Sequence, residues 1–285
     1  MRNAIILAAG TSSRFVPLSE ECPKGLLEVK GEILIERQIR MLKDAGVDDV
    51  TLVVGFKEDM FSYLKPKYGV DLVYNEDYSR YNNTSSIMRV LDRMQDTYIC
   101  CSDIYYSRNV FEESPRRSYY SACHHEGDTG EYCIGFNSEG VITDVTVGGR
   151  DSWYMIGHAF FSSEFSRKFK DILRADYENE AARRLYWEDV YIRHIGELPS
   201  MEIKKWSEGV IEEFDTLDEL RNFDKSYIDD TRSSVIKEIS RQLGCGEADL
   251  HSFSKICEAG MDRFTFLMRN DKYIYDFKSR LSSRL

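Results

Sequence analysis

Apolar positions in the first hundred residues follow two alternating patterns. Asn3 to Ala8, Val50 to Val54, Val70 to Tyr74 and Tyr98 to Cys101 are short continuous runs and read as buried strands. Between them, Leu34, Ile35, Ile39 and Leu42 recur at helical spacing up to Gly46, a C-terminal stop, and Ser85 to Arg93 reads as a further helix. Lys57 to Tyr68 also reads as a helix, its end disrupted by Pro66. Such alternation predicts an α/β fold with a mostly parallel, Rossmann-like sheet flanked by helices. By the same rule, ligands sit at the carboxyl ends of the strands.

Further along, the pattern changes. Tyr119 to Cys123, Tyr132 to Phe136, Val141 to Val147 and Tyr154 to Phe161 are alternating or aromatic-rich, with Asn137-Ser138-Glu139-Gly140 as a hairpin turn. They predict four short strands of an antiparallel extension, followed by a helix over Glu164 to Ala175. Beyond Tyr227, Thr231 to Leu243 reads as a helix stopped at Gly244 and Gly246, and Ala248 to Cys257 as a second short helix. Phe264 to Met268 and Tyr273 to Phe277 read as a hairpin across Arg269-Asn270-Asp271. The expected organisation is a large domain over 1–226 and a small α+β appendage over 227–285.

Composition narrows the function. A formal charge of -11 argues against nucleic acid or an anionic membrane as the main partner, since either needs a cationic face. Neither a signal peptide nor an apolar run near membrane-spanning length is visible, so no membrane insertion is expected. The 7 cysteines show no C-x-x-C spacing and read as free thiols of a reducing compartment, with Cys100 and Cys101 as core; the cytoplasm is the expected location.

Candidate chemistry concentrates at the opening. Leu7-Ala8-Ala9-Gly10-Thr11-Ser12 leads from the first strand into a loop of small residues, where backbone N–H groups can approach a phosphate. Arg14 then adds a charged fork and Lys24, in Pro23-Lys24-Gly25-Leu26-Leu27, a compact ammonium. At the end of the fourth strand, Ser102-Asp103 places a carboxylate where it can bind a divalent cation or cap a helix starting near Ser107. Asp215 faces the same choice before Thr216-Leu217-Asp218-Glu219-Leu220. Tyr186, Trp187, Glu188 and Asp189 combine rings with carboxylates, the pair of features that recognises a quaternary ammonium, although a Trp among apolar neighbours also reads as core. None of the 5 histidines forms a convincing general-base set; His124 and His125 point to opposite faces of a strand.

The strings Ala8-Ala9-Gly10 with Ser13-Arg14, and Pro23-Lys24, resemble the signature of nucleotidyltransferases that join a nucleoside triphosphate to a phosphorylated small molecule. Val53-Val54-Gly55-Phe56, Tyr81-Asn82-Asn83, Leu185-Tyr186-Trp187 and Glu213-Phe214-Asp215 extend the likeness, in order to about residue 225, to the bacterial CTP:phosphocholine cytidylyltransferases. Many members carry Gly where Ser12 stands, from which the loop is expected not to depend on a residue lacking Cβ. The resemblance implies transfer of CMP from CTP to phosphocholine, giving CDP-choline and pyrophosphate. Mg²⁺ would sit on Asp103 and Asp215, with Lys24 toward the α-phosphate and acceptor and Arg14 toward the leaving phosphates. It sets the base against Tyr81, Asn82, Asn83 and Ser85 as well as Ala8 to Gly10. Tyr132 and Trp153 are candidates for the other acceptor wall, and Arg150 for another cation near it. A phosphomonoester is already an anionic nucleophile, so no general base is required.

The same chemistry on 2-aminoethylphosphonate, phosphoethanolamine or a sugar 1-phosphate is the nearest alternative, and a catalytically silent nucleotide-binding module the alternative of another class. A homodimer is left open. In the tail, Gly260-Met261-Asp262-Arg263-Phe264-Thr265-Phe266 is similar to the opening strands of choline-kinase-like phosphotransferases, which implies either a piece of a longer kinase fusion or a vestigial cap without kinase activity.

Overall fold

The structure, a computed structural model, describes residues 2–256 and 262–285. Cys257 of the expected second tail helix, and Gly260 and Met261 of the kinase-like string, lie outside the described residues. Contacts divide the chain into two compact units. One holds the first strand through Gly10 together with Leu34–Glu213; the other holds Thr11–Ile33 together with Phe214–Leu285. This differs from a division at 226/227, because side chains of the C-terminal segment bond to the loop carrying Arg14 and Lys24.

The first unit is organised by β1 (Arg2–Ala8), whose interior residues Ala4, Ile5 and Ile6 are fully buried. It pairs in parallel with β4 (Asp49–Val54) and β6 (Asp96–Cys101), and β4 in turn with β5 (Asp71–Tyr74). Helices α2 (Leu34–Asp44), α3 (Leu64–Tyr68), α4 (Asn83–Val90) and α5 (Ser163–Tyr177) alternate with these strands or follow them. Register puts Leu7 beside Val53 and Cys101, so three strands end level at the expected ligand edge. The expected helix over Lys57 to Tyr68 is instead a 3-10 turn at Glu58–Phe61 and the five-residue α3. Pro66 falls in the first turn of α3, where its missing N–H costs nothing; Gly69, at φ 68°, ends the helix.

The four short strands expected after Tyr119 are two long ones, β8 (Tyr119–Phe136) and β9 (Ile142–Phe161), joined at the expected turn. Repeated register shifts bend this ribbon, and Cys133 lies opposite both Thr146 and Tyr154. Strand β9 pairs antiparallel with β6, and β10 (Glu202–Lys205) extends the sheet beside β8, giving the order β10-β8-β9-β6-β1-β4-β5. Short helices α6 (Glu180–Arg183) and α7 (Trp187–Arg193) follow α5, and β7 (Ile104–Tyr106) pairs with β11 (Ile211–Glu213). The fold is thus the expected parallel sheet with an antiparallel extension.

The second unit contains α1 (Leu18–Glu21), β2 (Glu28–Val29), β3 (Glu32–Ile33), α8 (Leu217–Phe223) and α9 (Ser234–Leu243). Its sheet is formed by β12 (Leu250–Lys255), β13 (Arg263–Met268), β14 (Asp271–Asp276) and β15 (Leu281–Arg284), in sequence order and antiparallel. The expected second tail helix is therefore strand β12. Residues from Leu250 alternate in burial and pair with β13, and that period of two overrides their helical propensity.

Candidate active site

Strand β1 delivers its last residues to the ligand edge with little room to spare. Ala8 and Ala9 are buried, and the Ala9 carbonyl accepts from the Phe56 amide at 3.1 Å. Gly55 is required beside it, because a Cβ there would lie 2.9 Å from the Ala9 oxygen and 2.7 Å from Tyr78. Gly10, by contrast, is exposed, and a Cβ on it would meet nothing within 4 Å, so its small size leaves open space rather than a packed one. Asp103 sits on the neighbouring edge in the turn after β6, where the Ser102 amide donates to the Leu7 carbonyl at 3.1 Å. No helix starts near Ser107 among the described residues; the chain enters β7 instead, so helix capping does not account for Asp103.

In the second unit, Ser13–Phe15 and Lys24–Leu26 form 3-10 turns that present the two cations. Arg14 is largely exposed, whereas the Lys24 side chain is only 5% exposed. Both reach Asp215, Arg14 Nη1 at 2.7 Å from Oδ2 and Lys24 Nζ at 3.5 Å from Oδ1. Asp215 does not cap α8. Thr216 does so, its hydroxyl accepting from the Glu219 amide, while the Asp215 amide donates to Glu219 Oε2. Ser12 lies in the left-handed region at φ 47°, ψ 47°. Contrary to the expectation from its side chain, the loop uses the conformation that favours glycine, at a cost of about 1 kcal/mol for a residue with Cβ.

The Tyr81 to Ser85 segment turns out to be a clamp. Asn82 caps α4 and donates to the Arg184 carbonyl, and Thr84 Oγ1 lies 3.0 Å from the carbonyls of Arg183 and Leu185. Asn83 accepts from the Trp187 amide at 2.7 Å and donates to Glu188 Oε2 at 3.3 Å. Ser85 donates to the Asn82 carbonyl and accepts from the buried Asn75. The ring of Tyr81 lies among the guanidinium groups of Arg80, Arg183 and Arg184. These side chains therefore join the loop before α4 to the segment entering α7.

At the start of α7 the four expected acceptor residues separate. Trp187 is 2% exposed and packs on Tyr120, Phe161 and Phe169, so its ring is core and unavailable as a cage wall. Asp189 closes a capping box, accepting from the Tyr186 amide at 2.9 Å and from the Tyr132 hydroxyl at 2.9 Å. Tyr186 remains exposed. Glu188 is buried: Tyr120 donates to it at 3.1 Å, and burial pushes its carboxyl up to about 7, with the Asn83 and Tyr120 hydrogen bonds pulling the other way. Trp153 packs against His124 and Lys205, and the exposed Arg150 pairs with Asp128 and Asp151 on the ribbon. Arg150 is thus engaged by two carboxylates of its own strand pair. Tyr120 reaches Glu188 from within β8, and an aromatic inside a strand carries no sequence signal of such a contact.

His158 is buried among Tyr98, Phe111 and Tyr119, and burial lowers its pKa to about 3, so it stays neutral beside Ser121. Among the described residues no three His, Cys, Asp or Glu side chains form a ready-made metal cage. No helix among them is long and apolar enough to cross a membrane.

Comparison with known proteins identifies the family. Residues 4–118 match the MobA-like NTP transferase domain. The chain is 35% identical over 230 residues to the 2-aminoethylphosphonate cytidylyltransferase of Lancefieldella rimae, covering 79% of this chain and 93% of that protein. It is 31% identical over 222 residues to the choline-phosphate cytidylyltransferase of Streptococcus pneumoniae, covering 78% and 96%. A solved structure of CTP:phosphocholine cytidylyltransferase from Streptococcus pneumoniae superposes with a TM-score of 0.76 at 31% identity, covering 79% of this chain and 98% of that one. With its signature loop, its level strand ends and this likeness across nearly the full length of such relatives, the chain belongs to the cytidylyltransferase family of nucleotidyltransferases.

Proposed function

We propose that this enzyme transfers CMP from CTP to phosphocholine, releasing CDP-choline and pyrophosphate. The observation that carries the reading is the pairing of Arg14 and Lys24 on Asp215: two cations from one short loop, held where a polyphosphate can exchange for a carboxylate. An acceptor phosphate oxygen attacks the α-phosphorus of CTP in line. The new P–O bond forms as the bond to the bridging oxygen breaks, and pyrophosphate leaves with that electron pair. Lys24 neutralises charge at the α-phosphate and acceptor, while Arg14 holds the leaving phosphates.

In this reading, which follows the family resemblance, Asp103 and Asp215 would hold Mg²⁺, a hard cation that takes one or two carboxylates together with phosphate oxygens and water. When bound, it supplies charge neutralisation at the phosphates. For the cationic end of the acceptor, buried Glu188 supplies the negative charge, with Tyr120 and Tyr132 anchoring the two acids of α7.

A second acceptor, 2-aminoethylphosphonate, is favoured by the burial of Trp187, which removes one ring from the trimethylammonium cage and leaves carboxylates for a primary ammonium. Pyrophosphate release with Mg²⁺, measured for CTP, UTP, ATP and GTP against phosphocholine, phosphoethanolamine, 2-aminoethylphosphonate and glucose 1-phosphate, decides between them. Turnover confined to CTP and phosphocholine supports the first reading. Preference for the phosphonate replaces it with the second.

A further inference from the structure

The cytidylyltransferase relatives align over 220 to 230 residues and are 93 to 96% covered by that alignment, so they contain little beyond the nucleotidyltransferase fold itself. Each alignment leaves more than a fifth of this chain unmatched, and because the motifs of the family run in order to about residue 225, the C-terminal segment is read as an addition. Within the second unit Tyr227, Arg232, Ser233, Ser234 and Lys255 of that segment bond to the signature loop. Lys255 of β12 pairs with Glu20 at 2.6 Å. Glu21 accepts from the Ser234 amide at 2.7 Å and from the hydroxyls of Ser233 and Ser234, so one acidic residue of α1 is fixed at the start of α9. Tyr227 and Arg232 both donate to the Glu28 carbonyl, at 2.8 and 2.7 Å.

Two further relations give these bonds a direction. Strand β12 packs against the 3-10 turn that carries Arg14. Its Ser252 amide donates to Asp218 at 2.8 Å, and the buried Arg221 of α8 donates to the carbonyls of Leu250 and Glu247, so the helix following Asp215 is held by the same strand. Glu20 and Glu21 lie between Arg14 and Lys24 in sequence, in the four-residue α1. A four-residue helix does not hold its own geometry in water, because helix nucleation is unfavourable. Its position is set by what it binds.

We propose that residues 227–255 form a positioning brace that fixes the loop bearing Arg14 and Lys24 for the triphosphate of CTP, Lys255, Ser233 and Ser234 being positioning residues. The inference rests on the reading of Arg14 and Lys24 as the triphosphate grip. A long, exposed Arg14 side chain on a loop with a strained Ser12 gains most from such support. Displacement of a reacting group by about 1 Å costs up to about a hundred-fold in rate.

The test is calorimetric titration of Mg²⁺–CTP into full-length protein without acceptor, with thermal melts confirming that each variant is folded. Lys255→Glu, which sets two acids against each other, is expected to weaken CTP binding about five- to ten-fold while the KM for the acceptor moves less than about two-fold. Glu20→Lys combined with Lys255→Glu restores the pair and should bring CTP affinity back. Ser233→Ala with Ser234→Ala, which removes the Glu21 contacts independently, should act in the same direction. Folded variants that bind CTP as the wild type does would overturn the brace. Wild-type protein that binds no CTP would instead overturn the triphosphate reading on which it stands.

Discussion

Arg14 Nη1 stands 2.7 Å from Asp215 Oδ2, and the other oxygen of that carboxylate lies 3.5 Å from the buried Lys24 ammonium. An ion pair with one partner only 5% exposed is costly to break from one side, since the remaining charge is left in a poorly solvated place. In the proposed reaction the two cations would stay paired with Asp215 until the triphosphate takes its place.

Lys24→Met should accordingly lower kcat on the order of a hundred- to a thousand-fold, the loss typical of one preorganised electrostatic contact to a transition state. Lys24→Arg should not rescue it, because a planar fork does not fit the space of a compact ammonium. Pyrophosphate release measured at saturating CTP and acceptor is the check. Near wild-type turnover in the Met variant would remove Lys24 from the mechanism.

Glu188 predicts a pH dependence. Its carboxyl is raised from an ordinary 4.5 to about 7, chiefly by burial, so the folded state binds a proton that the unfolded chain has lost. The associated stability is present below about 4.5 and is lost as pH rises through about 7. Relative to Glu188→Gln, wild-type protein should lose Tm across that window, and the two melting profiles should not run parallel. As the carboxylate ionises, the KM of a cationic acceptor should fall in the wild type and stay flat in the variant. Parallel KM profiles would dissociate Glu188 from acceptor binding.

Trp187 separates core from cage. Its ring packs on Tyr120, Phe161 and Phe169, so Trp187→Ala should destabilise the fold by about 3–5 kcal/mol. Trp187→Phe should retain most of that packing and leave the acceptor KM within about three-fold, since no cage face is removed. A well-folded Phe variant with a ten-fold higher acceptor KM, an order of magnitude typical of a lost cation–π contact, would return the ring to the site.

Ser12 tests the loop backbone. At φ 47° a Cβ is disfavoured, so Ser12→Gly should raise stability by at most about 1 kcal/mol, reduced by the extra entropy of glycine in the unfolded chain. Turnover should be preserved, whereas Ser12→Val should lose both stability and CTP affinity. Chemical denaturation alongside CTP titration reads the two effects. Equal stability of the Gly and Val variants would mean that the left-handed conformation is not required.

Much of this enzyme was legible in the sequence. Continuous apolar runs separated by helical spacing fixed the parallel sheet, since burial on both faces leaves strands no other composition. The loop from Leu7 to Arg14 and Pro23-Lys24 stand out by residue type as a place for phosphate, whereas the assignment of Asp103 and Asp215 to a cation comes from the family resemblance and stays part of the proposal. Tertiary structure decided what local pattern does not encode. Whether Trp187 lines a cage or a core depends on the rings that reach it from β8, β9 and α5, distant in sequence. Sequence alone also does not show that Asn82 reaches the Arg184 carbonyl, Asn83 the Trp187 amide and Thr84 the carbonyls of Arg183 and Leu185, partners about a hundred residues away. The tail joined the signature loop for the same reason: Glu20, Glu21 and Glu28 meet partners more than 190 positions away, and only folding makes them neighbours.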